Sequence, residues 1–234
     1  MESIRINKYL VEAGVCSRRE ADRLIQAGKV LVNTTPASLG QKVDGSERIV
    51  VRGKIIAHTK KKSVYLAYHK PVGIICTSDP SARDNIITAV HYPERVFHIG
   101  RLDVASSGLI LLTNDGEIVN TILRSEGQHE KEYVVKVDEP ITTEFLRSLA
   151  TGVEVLGRKT LPARVKKIGK NTFSIILIEG RNRQIRRMCE ALGLNVVSLK
   201  RIRIMNIHLD DLPVGTWRHL TKKEEVGFFA LLKK

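Results

Sequence analysis

The amino-acid sequence predicts an α+β fold in two parts. A small N-terminal unit holds two helices and several short strands. A larger unit carries a mixed, mostly antiparallel sheet flanked by helices. Three observations carry this prediction. Segments with helical apolar spacing interleave irregularly with segments that alternate or run apolar at strand length. The pattern breaks once, at Lys60-Lys61-Lys62, a self-repelling run without apolar period, which sets a linker at 59–63 between units 1–58 and 64–234. No apolar run reaches the ~20 residues that a membrane-spanning helix needs.

In the first unit, Ile6, Tyr9, Leu10 and Ala13 recur at helical spacing, and Gly14 stops the helix. Ser17-Arg-Arg-Glu20 reads as a capping box opening a second helix that buries Ala21, Leu24 and Ile25 and ends at Gly28. Lys29–Asn33 reads as a strand and Thr34–Pro36 as a turn. Ile49–Val51 and Lys54–Ile56 are strands around Arg52-Gly53.

In the second unit, Val64–Tyr68 is strand-like, His69–Gly73 a break, and Ile74–Cys76 a continuing strand. Ile86–Val90 reads as a short helix. Leu109–Thr113 is an apolar strand, and Asn114–Glu117 opens a helix to about Arg124. Glu132–Val137 and Thr172–Ile178 are strands, with a helix at Thr142–Ala150 between them. Asn182–Leu192 is a helix with Ile185, Met188, Cys189 and Leu192 inward. Val196–Met205 is a long strand, and Lys222–Leu232 a terminal helix.

Charge narrows the function. The 234 residues hold 39 Lys and Arg against 25 Asp and Glu, a net +14, which favours polyanionic partners. The basic residues bunch at Lys60–Lys62, at Arg181, Arg183, Arg186 and Arg187, and at Lys200, Arg201 and Arg203. Nucleic acid is the expected partner. No cluster lies on an amphipathic segment with bulky apolar anchors, so a membrane surface is not expected. The three cysteines, Cys16, Cys76 and Cys189, form no C-x-x-C pair, which argues against a disulfide framework or a standard zinc motif. The first ten residues lack an apolar signal region. A reducing cytoplasm is the expected setting, with no metal or membrane partner and a monomeric chain.

The densest chemistry lies in residues 97–116, where a polar loop with Arg101, Asp103, Ser106 and Ser107 leads into an apolar strand. Loops anchored by buried strands often carry reactive groups. Asp103 has two readings. As a carboxylate kept ionised by a neighbouring guanidinium it serves as nucleophile or electrostatic catalyst. Alternatively it tethers its loop through backbone N–H bonds. Spacing alone favours the tether.

Two resemblances reverse that preference. The run R-I-N-K-Y-L with C-S-R-R-E-A-D-R-L-I-Q-A-G-K-V-L-V-N, over roughly residues 4–56, resembles the S4 RNA-binding domain. The run G-R-L-D-V-A-S-S-G-L-I-L-L-T-N-D-G resembles the signature of the small-subunit-type family of bacterial RNA pseudouridine synthases. His69–Gly73, Lys131–Val135 and Glu179–Met188 resemble that family's other motifs, in the family's order. Within it, the N-R-Q-I-R-R-M-C-E, K-R-I-R-I-M-N and H-E-K-E-Y segments look most like the branch acting on 23S ribosomal RNA.

The resemblance implies conversion of uridine to pseudouridine in structured RNA, 23S ribosomal RNA first and transfer RNA second. Asp103 would be the essential carboxylate, Tyr133 would stack on the flipped base and Ile185 would pack on its other side. Arg186 would pair with Asp103. Arg183 and Arg187 would bind phosphates. Arg101 would either fill the vacated stack or pair with Asp103. Arg18, Arg19, Arg23 and Lys29 would touch RNA phosphates. Because the reaction neither oxidises nor loses a group, no cofactor is expected. The sequence also holds no dinucleotide fingerprint and no ligand cluster.

The remaining polar residues have plainer expectations. His69, His98 and His129 are read as loop or packing residues, Asp115 as part of a helix start, Cys76 and Cys189 as core thiols and Trp217 as packing. The competing function is a non-catalytic, S4-type RNA-binding assembly factor, which would not need a loop carboxylate repelling phosphate. A hydrolase using Asp103 is a third.

Overall fold

The computed structural model describes residues 3–57, 62–79, 81–116, 118–119, 122 and 129–232. It divides into two compact units, Met1–Ser63 with Asn114–Gly116, and Val64–Thr113 with Glu117–Lys234.

The first unit opens with β1 (Ile4–Arg5) and α1 (Ile6–Glu12), which buries Ile6, Tyr9 and Leu10. Ser17 then caps α2 (Arg18–Gln26), accepting the Glu20 backbone N–H at 3.2 Å. Only this half of the expected capping box forms. The Glu20 carboxylate turns instead to Arg52 at 3.5 Å and Arg23 at 3.7 Å. The strands β2 (Val30–Val32), β3 (Thr35–Pro36), β4 (Lys42–Val43), β5 (Ile49–Val51) and β6 (Lys54–Ile56) follow. The expected turn at Thr34–Pro36 lies one residue earlier. Asn33 takes the left-handed conformation at φ 58°, and Thr35–Pro36 pairs with Leu31 and Val32 as an edge strand, a position where the missing proline N–H is harmless. Ala21, Leu24 and Ile25 join Ile6, Leu10, Val30 and Ile49 in one core.

The second unit contains β7 (Tyr65–Lys70), α3 (Ile86–Val90), β8 (Phe97–Ile99), β9 (Ser107–Thr113), β10 (Lys131–Val137) and α4 (Thr143–Thr151). Next come β11 (Glu154–Val155), β12 (Arg158–Lys159), β13 (Arg164–Gly169), β14 (Thr172–Leu177) and α5 (Gln184–Ala191). The chain finishes with β15 (Val196–Ile204), β16 (Ile207–His208), β17 (Trp217–His219) and α6 (Lys222–Leu232). Among the described residues, nine strands form one sheet in the order β13-β14-β10-β15-β9-β7-β17, with β16 beside β15 and β8 beside β9. Each neighbouring pair is antiparallel except β15 with β9.

Strand alternation sorts the apolar residues onto two faces. Leu66, Tyr68, Ile110, Leu112, Tyr133 and Val135 join Phe145 of α4 and Met188 of α5 in one cluster. Tyr65, Ala67, Leu109, Leu111 and Phe228 of α6 join the other. Each fully buried Leu or Ile contributes about 1.5–3 kcal/mol, so β9, covered on both faces, is firmly anchored.

Several expectations shift. β7 runs on through His69 and Lys70, and the break is confined to residues 71–73. Ile74–Cys76 makes one isolated bridge, Ile75 to Asn85, in place of a strand. Of the helix expected from Asn114 to Arg124, Gly116, Ile118, Val119 and Ile122 are helical, while residues 117, 120, 121, 123 and 124 lie outside the described residues, as does most of the linker. β1, β4, β11, β12 and β16 escape sequence reading because two residues cannot show a period. β13 escapes because it is a charged edge strand, where Lys and Arg blunt further pairing.

Candidate active site

The loop between β8 and β9 is held by its own leucine. Leu102 is 7% exposed and packs in the same apolar cluster as Tyr133 and Ile185. That anchor leaves Arg101 exposed and Asp103 half-buried. The Leu102 N–H donates to Cys76 Sγ at 3.3 Å, and the Gly73 N–H donates to the Val104 carbonyl at 2.8 Å. Within the loop, the Ser106 N–H donates to the Asp103 carbonyl at 3.0 Å. The loop is therefore fastened to the segment after β7 on either side of its carboxylate.

Beneath it runs one transverse row of the sheet. Lys70 of β7 is paired with Gly108 of β9, Gly108 with Arg201 of β15, and Arg201 with Tyr133 of β10. Directly paired residues share a face. Gly108 is required here, because its φ is +110° and an added Cβ would overlap the Arg201 carbonyl and stand 2.5 Å from the Arg201 nitrogen. The row thus has a gap at its centre, with two cations flanking it and Tyr133 at one end.

α5 supplies the next part. The Glu179 carboxylate accepts the Leu161 N–H at 3.0 Å and the Arg181 Nε–H at 3.1 Å, and it also bonds the Gln184 amide. Gln184 accepts the Arg181 N–H in return at 3.0 Å. This knot turns the chain through Arg183, left-handed at φ 53°, into α5. Ile185 then faces the apolar cluster, one residue before Arg186. Arg186 reaches across, donating to the Ala105 carbonyl at 2.8 Å and the Val196 carbonyl at 3.1 Å.

The electrostatics are dominated by cations. Lys70 is fully buried and donates to the Pro71 and Ile74 carbonyls at 2.7 and 2.8 Å. Burial pulls its pKa down, Cys76 and Asp103 oppose that shift, and Arg201 adds to it. Burial likewise lowers Arg186, with Arg183 in the same direction and Asp103 against it. Burial and the field of Arg201 push Lys131 down to about 8. Asp103 is the one carboxylate acting on Lys70 and Arg186.

The structure brings Tyr133, Ile185 and Leu102 into one cluster and sets Arg186 and Asp103 within electrostatic range. It does not form the expected direct pair, because no ion pair joins Asp103 to Arg186 or to Arg101 within 4.0 Å among the described residues. The Arg186 guanidinium braces the loop backbone instead. Arg187 bonds Asn182 at 2.9 Å, and Arg183 is exposed at the start of α5. The third basic run is not a surface patch. Arg201 is 3% exposed, and Arg203 pairs with Glu130 at 3.0 Å and Glu132 at 2.9 Å. Lys70, Gly108 and Arg201 escaped sequence reasoning as site residues. Lys70 sat in a quoted motif, but only register aligns it with Arg201.

The other residues take ordinary places. His69 Nδ1–H donates to the Leu212 carbonyl at 2.7 Å on the opposite face, and His98 does the same to Gly100 at 2.7 Å. Burial lowers both His98 and His129. Burial pushes the Cys189 thiol up to about 12, which leaves it unreactive. Trp217 packs edge-on against Tyr92 at 5.0 Å. No group of three or more His, Cys, Asp or Glu is arranged to hold a metal among the described residues. None of their helices is long and apolar enough to cross a membrane.

A pinned carboxylate loop over a cation-lined row, with a buried tyrosine and isoleucine beside it, defines an enzyme site suited to an anionic polymer. Comparison with known proteins specifies which. The RNA pseudouridylate synthase family model matches residues 64–191 and the S4 domain model matches residues 4–49. The chain belongs to the RNA pseudouridine synthase family and carries an S4 domain, as the sequence motifs had implied. It is similar to the dual-specificity RNA pseudouridine synthase RluF of Escherichia coli strain K12, at 48% identity over 99% of this chain and 80% of that protein. It is 40% identical to ribosomal large subunit pseudouridine synthase B of Bacillus subtilis strain 168, over 97% of this chain and 96% of that one. A crystal structure of a pseudouridylate synthase superposes with a TM-score of 0.68 at 29% identity, covering 95% of this chain and 98% of that one. The chain is an enzyme that isomerises uridine in RNA, and the non-catalytic alternative finds no support.

Proposed function

We propose that this chain converts a uridine of 23S ribosomal RNA to pseudouridine, as a cytoplasmic monomer, with Asp103 as its catalytic carboxylate. The Bacillus relative is named for the large ribosomal subunit, which supports that substrate. The Escherichia relative is named for dual specificity, which supports a second RNA, with transfer RNA the first to assay.

The observation that carries the site is Asp103 itself. It is half-buried on a loop fastened to the backbone, faces Lys70 and Arg186 electrostatically, and follows the leucine that packs with Tyr133 and Ile185. The reaction breaks the uridine N1–C1′ bond, leaves the electron pair on the uracil, turns the base and forms a C5–C1′ bond. C5 loses a proton and N1 gains one, so nothing is oxidised overall. A stacked base cannot react, so it is flipped out and held. Tyr133 and Ile185 supply the two faces that hold it. Arg186 sets a positive charge within electrostatic range of Asp103 and fixes its loop through Ala105. Arg101 fills the vacated stack, a role that its exposure supports. Arg183 and Arg187 bind flanking phosphates. On the S4 unit, exposed Arg18, Arg19, Arg23 and Lys29 bind RNA phosphates. We place the S4 RNA-binding unit at residues 1–58 and the catalytic unit at 64–234, with 59–63 as the linker.

The test is Asp103→Asn. On RNA from cells lacking the gene, the wild-type protein restores one pseudouridine in 23S RNA. The variant restores none yet binds the same RNA with unchanged affinity. Full activity in Asp103→Asn would refute the assignment.

A further inference from the structure

Arg201 is the least explained charge in the molecule. It is 3% exposed, it sits at the centre of the nine-stranded sheet, and among the described residues it forms no ion pair. Its Nε–H donates to the Leu109 carbonyl at 2.7 Å, and Nη1 lies 3.5 Å from the Arg101 carbonyl. Its Nη2 is buried with no partner. A buried donor left unsatisfied is destabilising, and an uncompensated buried charge more so. A leucine or methionine would fit an apolar sheet face better, so packing does not explain the residue.

Its contacts do. Arg101 and Leu109 stand at the two ends of the catalytic loop, one before Asp103 and the other just inside β9. One guanidinium therefore ties the two ends together from below. It reaches them because Gly108 has no side chain, which lets β15 approach β9 closely in the sheet's parallel pair. The same side chain shares its row with Tyr133, so it links the carboxylate loop to the strand that carries the tyrosine.

We propose that Arg201 is a positioning residue for the isomerisation, a buried clasp that sets the distance between Asp103 and Tyr133 and adds a fixed positive charge beneath the site. It does not touch the base. The proposal rests on the reading of Asp103 as the catalytic carboxylate. The charged and titratable groups around the site are Lys70 of β7, Cys76 of the following segment, Arg101 and Asp103 of the loop, Lys131 of β10, and Arg183 and Arg186 at α5.

Two variants separate the clasp from the charge. Arg201→Lys keeps a cation but cannot reach both carbonyls with a planar fork. Its single-turnover rate on saturating RNA falls about tenfold while RNA affinity is unchanged. Arg201→Met removes the charge as well. Its rate falls on the order of a hundredfold, further than in Arg201→Lys, because the fixed positive charge is lost along with the clasp, while RNA affinity is again unchanged. A wild-type rate in Arg201→Lys overturns the clasp, and this variant decides that point even if Arg201→Met does not fold. A folded Arg201→Met whose rate equals that of Arg201→Lys overturns the electrostatic part. Asp103→Asn assayed alongside keeps the two readings apart. If it is active, the reading of Asp103 fails. If it is inactive while both Arg201 variants match wild type, only the present inference fails.

Discussion

The cations of the S4 unit and those of the catalytic unit sit in opposite surroundings. Arg18, Arg19, Arg23 and Lys29 stand exposed on or beside α2, and among the described residues only Arg23 of these pairs with an acid, Glu20 at 3.7 Å. Lys70, Arg186 and Arg201 are sunk into the sheet or bridge to the loop, and their hydrogen bonds go mostly to backbone carbonyls. An exposed cation is hydrated in the free chain and gains its partner only on binding, so it works through affinity and is screened by salt. A buried one is already desolvated when the protein folds. It shapes the backbone and fixes a field in advance, so it works through rate. Net charge alone does not distinguish the two uses.

The most severe way to break the comparison is at Gly108. Gly108→Val places side-chain atoms on the Arg201 backbone at a φ of +110°. It should destabilise the catalytic unit by at least about 3 kcal/mol, read as a fall in thermal midpoint, with the S4 unit's RNA binding spared. A small shift would mean that β9 and β15 can separate at little cost. Next in size is Arg186→Met. It should slow single-turnover conversion about a hundredfold with little change in RNA affinity or its salt dependence. A steep loss of affinity instead would put Arg186 with the exposed group.

Removing Arg19 and Arg23 together probes the opposite side. The slope of log affinity against log salt should become shallower by about 1.4 to 1.8, while the rate at saturating RNA is retained. An unchanged slope would remove these residues from the RNA surface. The smallest effect sharpens the burial argument at Lys131, whose pKa lies near 8 against an ordinary 10.5. Below pH 8 the lysine is charged in both states and its burial opposes folding. Between 8 and 10.5 the unfolded chain holds the extra proton, so folding becomes more favourable as pH rises. Wild type should therefore gain stability relative to Lys131→Met across that window. A flat difference in denaturant midpoints would show that the ammonium is well solvated.

Much of this was legible along the chain. Ser17, Asn85 and Thr142 cap their helices, and the first is plain from the sequence, because capping is local chemistry between residues three apart. Leu109–Thr113 and Lys222–Leu232 declare themselves by length and apolar content. The motif around Asp103 placed the carboxylate on a loop before a buried strand, and the structure puts it there. The two-residue strands and the charged edge β13 were not legible, since neither carries a period.

The sequence by itself determined the two-part α+β plan, the excess of positive charge, the loop bearing Asp103 and the motif order of the family. Those depend on neighbours in the chain or on short patterns. Tertiary structure alone decided which cations stay exposed and which are buried around the Asp103 loop. Lys200-Arg201-x-Arg203 reads as one basic run, yet β pairing buries Arg201 between Gly108 and Tyr133 and turns Arg203 to two glutamates. Strand register settles that difference, because it joins residues far apart in the chain, Gly108 with Arg201 and Arg201 with Tyr133, and assigns each to a face.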